Sequence, residues 1–334
     1  MAIKPSSIDS KVILVTGGTG SFGRAFVRML LEKHNPEKVI VFSRDECKQW
    51  EMRNSDHIFN SEKIRYFIGD VRDKDRLLMA FRDVDIVVHA AALKQIPTAE
   101  YNPCECVKTN VMGAMNVIDA AVERDVEKVI ALSTDKAVNP ANLYGATKLC
   151  SDKLFTAANV YSGKRQRPIF SVVRYGNVLG SRGSIVPMWQ KMIEKGATTI
   201  PVTDERMTRF WITLEQATKF IMMALTKMEG GEIFVPKIPS MKVVDLAKAI
   251  APEIPIEICG IRPGEKIHEV MVCNEDAHNT SEHPEYYVIR QHENSLKTKN
   301  TAENSVSEEF AYASDTNERW LTEKELYQSQ IKNI

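Results

Sequence analysis

The segment Lys11-Val12-Ile13-Leu14-Val15-Thr16 runs without a break into Gly17-Gly18-Thr19-Gly20-Ser21-Phe22-Gly23, and then into a helical pattern that lasts to Lys33. Its glycines satisfy GxGxxG (Gly18, Gly20, Gly23) and GxxGxxG (Gly17, Gly20, Gly23) together. Glycine permits the tight turn, lets backbone N–H groups approach a pyrophosphate, and lets the helix pack close to the strand. The helix N-terminus adds partial positive charge where phosphate oxygens would sit. Gly17, Thr19, Gly20, Ser21, Phe22 and Gly23 are therefore candidate dinucleotide-binding residues; the alternative is a plain glycine-rich turn.

Outward from this loop, short apolar runs alternate with helical patterns. Val39 to Phe42, Lys63 to Gly69, Ile86 to Val88, Val129 to Leu132 and Phe170 to Val173 read as strands buried on both faces. Lys74 to Phe81, Val107 to Arg124 and Tyr144 to Tyr161 carry helical periodicity between them. Such alternation predicts an α/β fold, a Rossmann-type doubly wound parallel sheet. After about Gly180 it loosens, and Ile185 to Lys195, Leu214 to Met228 and Val243 to Ile250 read as helices of a smaller C-terminal substrate-binding lobe. The predicted division is 1–180 for the dinucleotide domain with its catalytic residues, 181–290 for the lobe, and 291–334 for a polar C-terminal segment.

Composition narrows the function. Of 334 residues, 43% are hydrophobic, and 44 Lys plus Arg balance 44 Asp plus Glu. A neutral chain has no global field to draw nucleic acid or an anionic membrane, so cations for an anionic ligand must be local. Cys47, Cys104, Cys106, Cys150, Cys259 and Cys273 are scattered without zinc spacing, and no metal site is expected. Residues 1–10 carry no apolar leader, and the longest apolar stretch, Val84 to Leu93, is interrupted by Asp85 and His89 and is too short to span a bilayer. The expectation is a cytoplasmic protein with reduced thiols.

The end of the second strand bears on which dinucleotide binds. Ser43 and Arg44 follow Val39 to Phe42, with Asp45 next and Lys48 a turn later. Ser43, Arg44 and Lys48 suit a 2′-phosphate, so NADP is expected; Asp45 as a ribose ligand for NAD is the competing reading. Asp70 and Val71 end the third strand, where Asp70 either meets the adenine or caps a helix.

Tyr144 and Lys148 stand four apart in Tyr-Gly-Ala-Thr-Lys, on one face of a helix. A lysine beneath a tyrosine, near a cationic nicotinamide, favours the tyrosinate that takes a hydroxyl proton. Upstream, Ser133-Thr134-Asp135-Lys136 lies at the C-terminal end of the fifth strand, where open α/β sheets bind ligands. A solvated capping loop is the alternative.

These residues, with His89-Ala90-Ala91-Ala92 and Asn110, resemble the extended short-chain dehydrogenase/reductases that act on nucleotide sugars. The stretches 89–103, 131–155, 173–187, 206–213 and 260–269 are similar to the C5-inverting UDP-N-acetylglucosamine 4,6-dehydratases, with Lys136 where other 4,6-dehydratases place a glutamate base. The resemblance weakens past Gln291. It implies that Tyr144 takes the C4 hydroxyl proton, Lys136 removes the C5 proton, Asp135 protonates the departing C6 hydroxyl and Thr134 orients the ketone. That role needs Lys136 neutral, which burial and nearby cations would favour. Ala90 joins the cofactor set. Lys94, Asn177, Ser181, Arg182, Arg206, Arg209, Arg262 and Glu265 form the implied UDP-sugar set, with the arginines as diphosphate clamps or plain surface charge. A homo-oligomer and pseudaminic-acid-type sugar synthesis are also implied. The rivals are a UDP-sugar 4-epimerase or reductase, which has no need of Asp135 and Lys136, and a silent NADP sensor, which typically loses Tyr or Lys.

Overall fold

The computed structural model describes residues 8–163, 166–290, 304–322 and 325–326. Strands β1 (Val12–Thr16), β2 (Lys38–Ser43), β3 (Ile64–Ile68), β4 (Ile86–His89), β5 (Lys128–Thr134) and β6 (Ile169–Tyr175) alternate with helices. Ten more follow: β7 (Asn177–Val178), β8 (Ile200–Val202), β9 (Thr208–Ile212), β10 (Glu232–Pro236), β11 (Ser240–Lys242), β12 (Ile256–Ile258), β13 (Val270–Val272), β14 (Thr280–Glu282), β15 (Tyr286–Arg290) and β16 (Tyr312–Ala313).

The main sheet has nine strands in the order β14-β15-β10-β6-β5-β4-β1-β2-β3. From β3 to β10 every pairing is parallel, and β15 and β14 close one edge antiparallel. The expected doubly wound sheet is present. Ile13, Leu14, Val15, Val39, Val87, Val88, Val129, Ile130, Val172 and Val173 are all buried, because helices cover both faces and no residue parity is left for solvent. Strand order reverses between β1 and β4, and this opens a crevice at their carboxyl ends.

A second core gathers Trp189, Ile200, Val202, Met207, Trp211, Met241 and Leu246 under the helices Ile185–Glu194 and Val243–Ile250. It is framed by the small sheets β11-β9-β7 and β12-β8. Between those pieces the chain returns to the large sheet. Helix Leu214–Lys227 packs on Ser21–Lys33, and β10 and β15 extend the sheet. The span 181–290 thus contributes to both cores.

The helical pattern from Val107 to Arg124 is interrupted by a π turn, Lys108–Met112. It carries buried Asn110, whose amide donates to Leu93 O (2.9 Å) and Thr147 Oγ1 (3.0 Å) and whose Oδ1 accepts from Leu93 N (2.8 Å). The bulge lets one side chain tie the segment after β4 to helix Leu143–Ala157. Within the polar segment, residues 291–303, 323–324 and 327–334 lie outside the described residues. Tyr312 of that segment is buried, and its hydroxyl donates to Ile238 O at 2.8 Å. No helix among the described residues is long and apolar enough to cross a membrane.

Candidate active site

A cleft of about 770 Å³ lies between the carboxyl ends of the sheet and the second core. Gly17, Thr19, Gly20, Ser21, Phe22 and Gly23 form one wall. Gly17 takes φ 64°, and a Cβ on Gly23 would stand 2.5 Å from Gly18 Cα, so the loop-to-helix turn needs glycine at both positions. The bare backbone leaves a cradle that fits a pyrophosphate. Ala90 sits opposite, and the hydroxyl of Thr16 accepts from Ala90 N (3.1 Å) and Ala91 N (3.2 Å). Its own proton then goes to His89 Nδ1, 2.8 Å away. Burial, with the Lys148 charge adding to it, pushes the His89 ring down to about 3, so it stays neutral.

At the far end of that wall, Ser43, Arg44, Lys48, Asp70 and Val71 line the cleft. Asp45 caps helix Glu46–Ser55 by accepting from Lys48 N at 3.0 Å and pairs with Lys48 Nζ at 3.0 Å. Its carboxylate is thereby engaged on its own helix. Asp70 is held by the Arg72 guanidinium (2.7 Å) and faces Arg44 at 3.7 Å. Burial pushes its carboxyl upward, but the bonds from Arg72 outweigh this and keep it below the ordinary range.

The catalytic candidates meet at the end of β5. Asn142 caps helix Leu143–Ala157 through Gly145 N at 2.8 Å, which sets Tyr144 in its first turn. Tyr144 and Lys148 both line the cleft. Burial pushes the Tyr144 phenol up to about 12, opposed by the Lys136 charge and a hydrogen bond to Thr134. Burial also lowers the Lys148 amine, opposed by Asp152 on the same face of the helix. Asp152 accepts from Ser133 Oγ at 2.7 Å and meets Arg174 at 3.4 Å.

Lys136 Nζ lies 3.0 Å from Asp135 Oδ1, 3.1 Å from Asn177 Oδ1 and 3.2 Å from Glu269 Oε1. Here the sequence reading needs correction. Burial does act to lower this amine, but the carboxylates of Asp135 and Glu269 overcome it and hold the ammonium above the ordinary lysine range. Asp135 is also placed differently from expectation. It is fully buried beneath the cleft floor, with Oδ1 accepting from Thr134 at 2.9 Å. Thr134 itself lines the cleft.

The implied substrate set divides. Lys94, Asn177, Ser181, Arg182, Arg262 and Glu265 line the cleft. Arg182 N donates to Ser21 Oγ at 3.0 Å, joining the second core's entry loop to the phosphate loop. Arg262 is 57% exposed and pairs with Glu265 at 3.3 Å, so its guanidinium stays open to a ligand. Arg206 is absent from the lining; its side chain is 63% exposed and bonds Asp204 at 2.8 Å. Arg209 lines the cleft, but its guanidinium is committed. It donates to Thr208 O (2.7 Å), Ile267 O (2.9 Å) and Lys266 O (2.9 Å), and stands 3.7 Å from Glu269. Arg206 and Arg209 are therefore not free diphosphate clamps.

Glu269, Lys266 and Tyr175 line the cleft without having been singled out in the sequence. The signal for Glu269 was a carboxylate set directly before the apolar Val270-Met271-Val272. Lys266 bonds Val138 O at 2.6 Å, and burial lowers its amine.

Comparison with known proteins agrees with this geometry. Residues 13–291 match the family described as polysaccharide biosynthesis protein. A UDP-N-acetylglucosamine 4,6-dehydratase (inverting) from Campylobacter jejuni (strain 81-176) is 55% identical over 95% of this chain and 96% of its own. A UDP-glucose 4-epimerase from Rickettsia bellii (strain OSU 85-389) is 40% identical over 84% of this chain and 82% of its own. The X-ray structure of Pen from Bacillus thuringiensis superposes with a TM-score of 0.86 at 35% identity, covering 96% of this chain and 98% of that one. With its glycine cradle, its Tyr144 and Lys148 pair and these relatives, the chain belongs to the polysaccharide biosynthesis protein family of extended short-chain dehydrogenase/reductases.

Proposed function

We propose that this protein catalyses the C5-inverting 4,6-dehydration of UDP-N-acetylglucosamine to a 4-keto-6-deoxy sugar nucleotide of L-arabino configuration, with NADP as cofactor. The observation that carries the reading is Lys136 beside Tyr144 at the end of β5, bonded to Asn177 and flanked by two buried carboxylates. A 4-epimerase needs the tyrosine but no proton-handling group beside C5. The 55% identity to the Campylobacter jejuni dehydratase supports the same choice.

Bound NADP would supply a hydride acceptor for C4 and a hydride donor for C6, with no net redox change. The glycine cradle would hold its pyrophosphate, and Arg44 with Ser43 would meet the 2′-phosphate, joined by Lys48, whose ammonium is paired with Asp45 at 3.0 Å. Tyr144, as the tyrosinate that the Lys136 charge and the Thr134 hydrogen bond favour against burial, accepts the C4 hydroxyl proton. The ketone so formed acidifies the C5 hydrogen, and Lys136 as free amine removes it. Because Asp135 lies below the floor, its proton would reach the C6 hydroxyl by way of Thr134, which is bonded to Asp135 and lines the cleft. Arg262 and Arg182 meet the diphosphate, since a planar guanidinium bonds two oxygens together.

The product is of the kind that feeds pseudaminic-acid-type synthesis. Cytoplasmic placement and self-association belong to the same proposal, supported by free cysteines and by exposed Tyr101, Met112 and Met115.

The test is incubation with UDP-N-acetylglucosamine in deuterated water, followed by NMR. A 4-keto-6-deoxy product with deuterium at an inverted C5 supports the reading. A C4 epimer without deuterium at C5 replaces it with the epimerase.

A further inference from the structure

The Lys136 ammonium donates to Asp135 Oδ1 and Asn177 Oδ1 at 3.0 and 3.1 Å and forms an ion pair with Glu269 Oε1 at 3.2 Å. An ammonium so held is no base. Before Lys136 can take a proton from carbon it must give one up, and the receiving group must be within hydrogen-bond reach. The Asn177 amide oxygen is not basic enough to keep a proton. Asp135 Oδ1 already accepts from both Thr134 and Lys136, and the proposed reaction commits this group's proton to the departing C6 hydroxyl.

Glu269 differs. It is 2% exposed and forms an ion pair with Lys136 at 3.2 Å, while Arg209 Nε stands 3.7 Å away. Its Oε2, like Asp135 Oδ2, is buried without a hydrogen-bond partner among the described residues. An unpartnered carboxylate oxygen in a dry site is costly as an anion and much less so once protonated. The backbone of Glu269 is fixed by Ser314, through Glu269 N to Ser314 Oγ (2.9 Å) and Ser314 N to Glu269 O (2.8 Å). The carboxyl is thus held in position whatever its charge. Of the other charged or titratable groups around the pair, Asp135 favours the ammonium. Arg209, Lys266 and Lys94 disfavour it, and Tyr144 faces Lys136 from the next helix.

Given the dehydratase reading above, we propose that Glu269 is a positioning residue that stores the proton Lys136 must release before the amine can act on C5. An N–H bond of Lys136 breaks and an O–H bond forms on Glu269, so the ion pair becomes a neutral amine beside a neutral acid. The C5–H bond then breaks toward the amine, and its electron pair enters the C4 carbonyl. The new ammonium passes its proton to Asp135 Oδ1, 3.0 Å away, replacing the one given to the C6 hydroxyl; Glu269 then gives back the stored proton and the resting pair is restored, while C5 takes its new proton from the opposite face.

Glu269→Gln keeps the shape and the oxygen facing Lys136 but cannot take the proton. Near neutral pH its C5 exchange with deuterated water should fall about 10²- to 10⁴-fold, the usual cost of losing a positioned acid or base. C4 oxidation, read by loss of a C4 label and by reduced-nicotinamide absorbance, should survive, and KM should stay near wild type while kcat falls. Exchange should recover as the pH is raised, because Lys136 then loses its proton to solvent. Wild-type exchange at neutral pH overturns the proposal. So does an equal loss of C4 oxidation and C5 exchange at every pH, which would make Glu269 a structural prop. If Glu269→Gln fails to fold, Glu269→Asp keeps a carboxyl one carbon shorter. Its exchange should be slower with the wild-type pH profile, and an alkaline recovery there overturns the storage role. A wild-type enzyme that makes no 4-keto product removes the dehydratase reading first, and this proposal with it.

Discussion

A Cβ on Gly145 would stand 2.2 Å from the carbonyl oxygen of Lys136, so the helix carrying Tyr144 rests by bare backbone on the loop carrying Lys136. That contact sets the spacing of the two groups proposed to work in sequence on one sugar. Gly145→Ala must push them apart. Overpacking of this kind costs about 1–3 kcal/mol. The variant should melt at lower temperature and lose most turnover of UDP-N-acetylglucosamine, while NADP titration stays close to wild type because the phosphate loop is remote. Full turnover would show that the spacing is not critical.

Arg44 faces Asp70 at 3.7 Å with its side chain half exposed at the cleft rim. Arg44→Ala should weaken NADP far more than NAD, since only NADP carries the 2′-phosphate. A charge-assisted contact is worth about 1.5–3 kcal/mol, roughly ten- to a hundred-fold in affinity. Equal losses in calorimetric titrations of the two dinucleotides would remove the NADP assignment.

The two exposed arginines should separate cleanly. Arg262 lines the cleft, while Arg206 is bonded to Asp204 outside it. Arg262→Lys keeps the charge but loses the planar fork, so KM for the UDP-sugar should rise several-fold with NADP binding unchanged. Arg206→Ala should leave both constants at wild type. If steady-state kinetics show the reverse, the clamp has been placed on the wrong residue.

His89 should govern part of the acid limb of stability. Its folded-state value of about 3 lies below the unfolded value of about 6.5, so between these pH values the unfolded chain takes the proton and the folded chain does not. Stability therefore falls as pH drops through this window, by up to about 1.4 kcal/mol per unit from this group. His89→Asn keeps an acceptor for Thr16 without titrating. Its denaturation midpoint should fall less steeply between pH 6 and 4 than the wild type's, and parallel slopes would discount His89.

Tyr144→Phe and Lys136→Ala should fail at different steps. The first keeps the ring and loses the proton acceptor for C4, so no reduced nicotinamide should form. The second leaves Tyr144 and Lys148 in place, so C4 oxidation should persist while C5 exchange stops. Wild-type C5 exchange in Lys136→Ala would pass the role of base to Asp135.

The parts legible in the sequence are those written in local patterns. The glycine loop from Gly17 to Gly23, the buried runs of the parallel sheet and the four-residue step from Tyr144 to Lys148 each depend on backbone geometry within a turn or two. Arg209 and Arg206 both read as cations in a family-like stretch, and nothing local told them apart from Arg262. The difference lies in what surrounds them. Arg209 is taken up by the carbonyls of Thr208, Lys266 and Ile267, and Arg206 by Asp204.

The sequence alone determined the sheet, the dinucleotide loop and the tyrosine–lysine pair, because helix and strand periods and glycine turns are short-range constraints. Only the tertiary structure decided the charge state around Lys136. Burial alone would lower its amine, as the sequence reading assumed. The fold instead brings Glu269, from the segment before β13, to 3.2 Å of Lys136 at the end of β5, and a second buried carboxylate reverses the sign of the effect. Electrostatic energy between groups distant in the chain depends on how close folding brings them, and no run of residues records that distance.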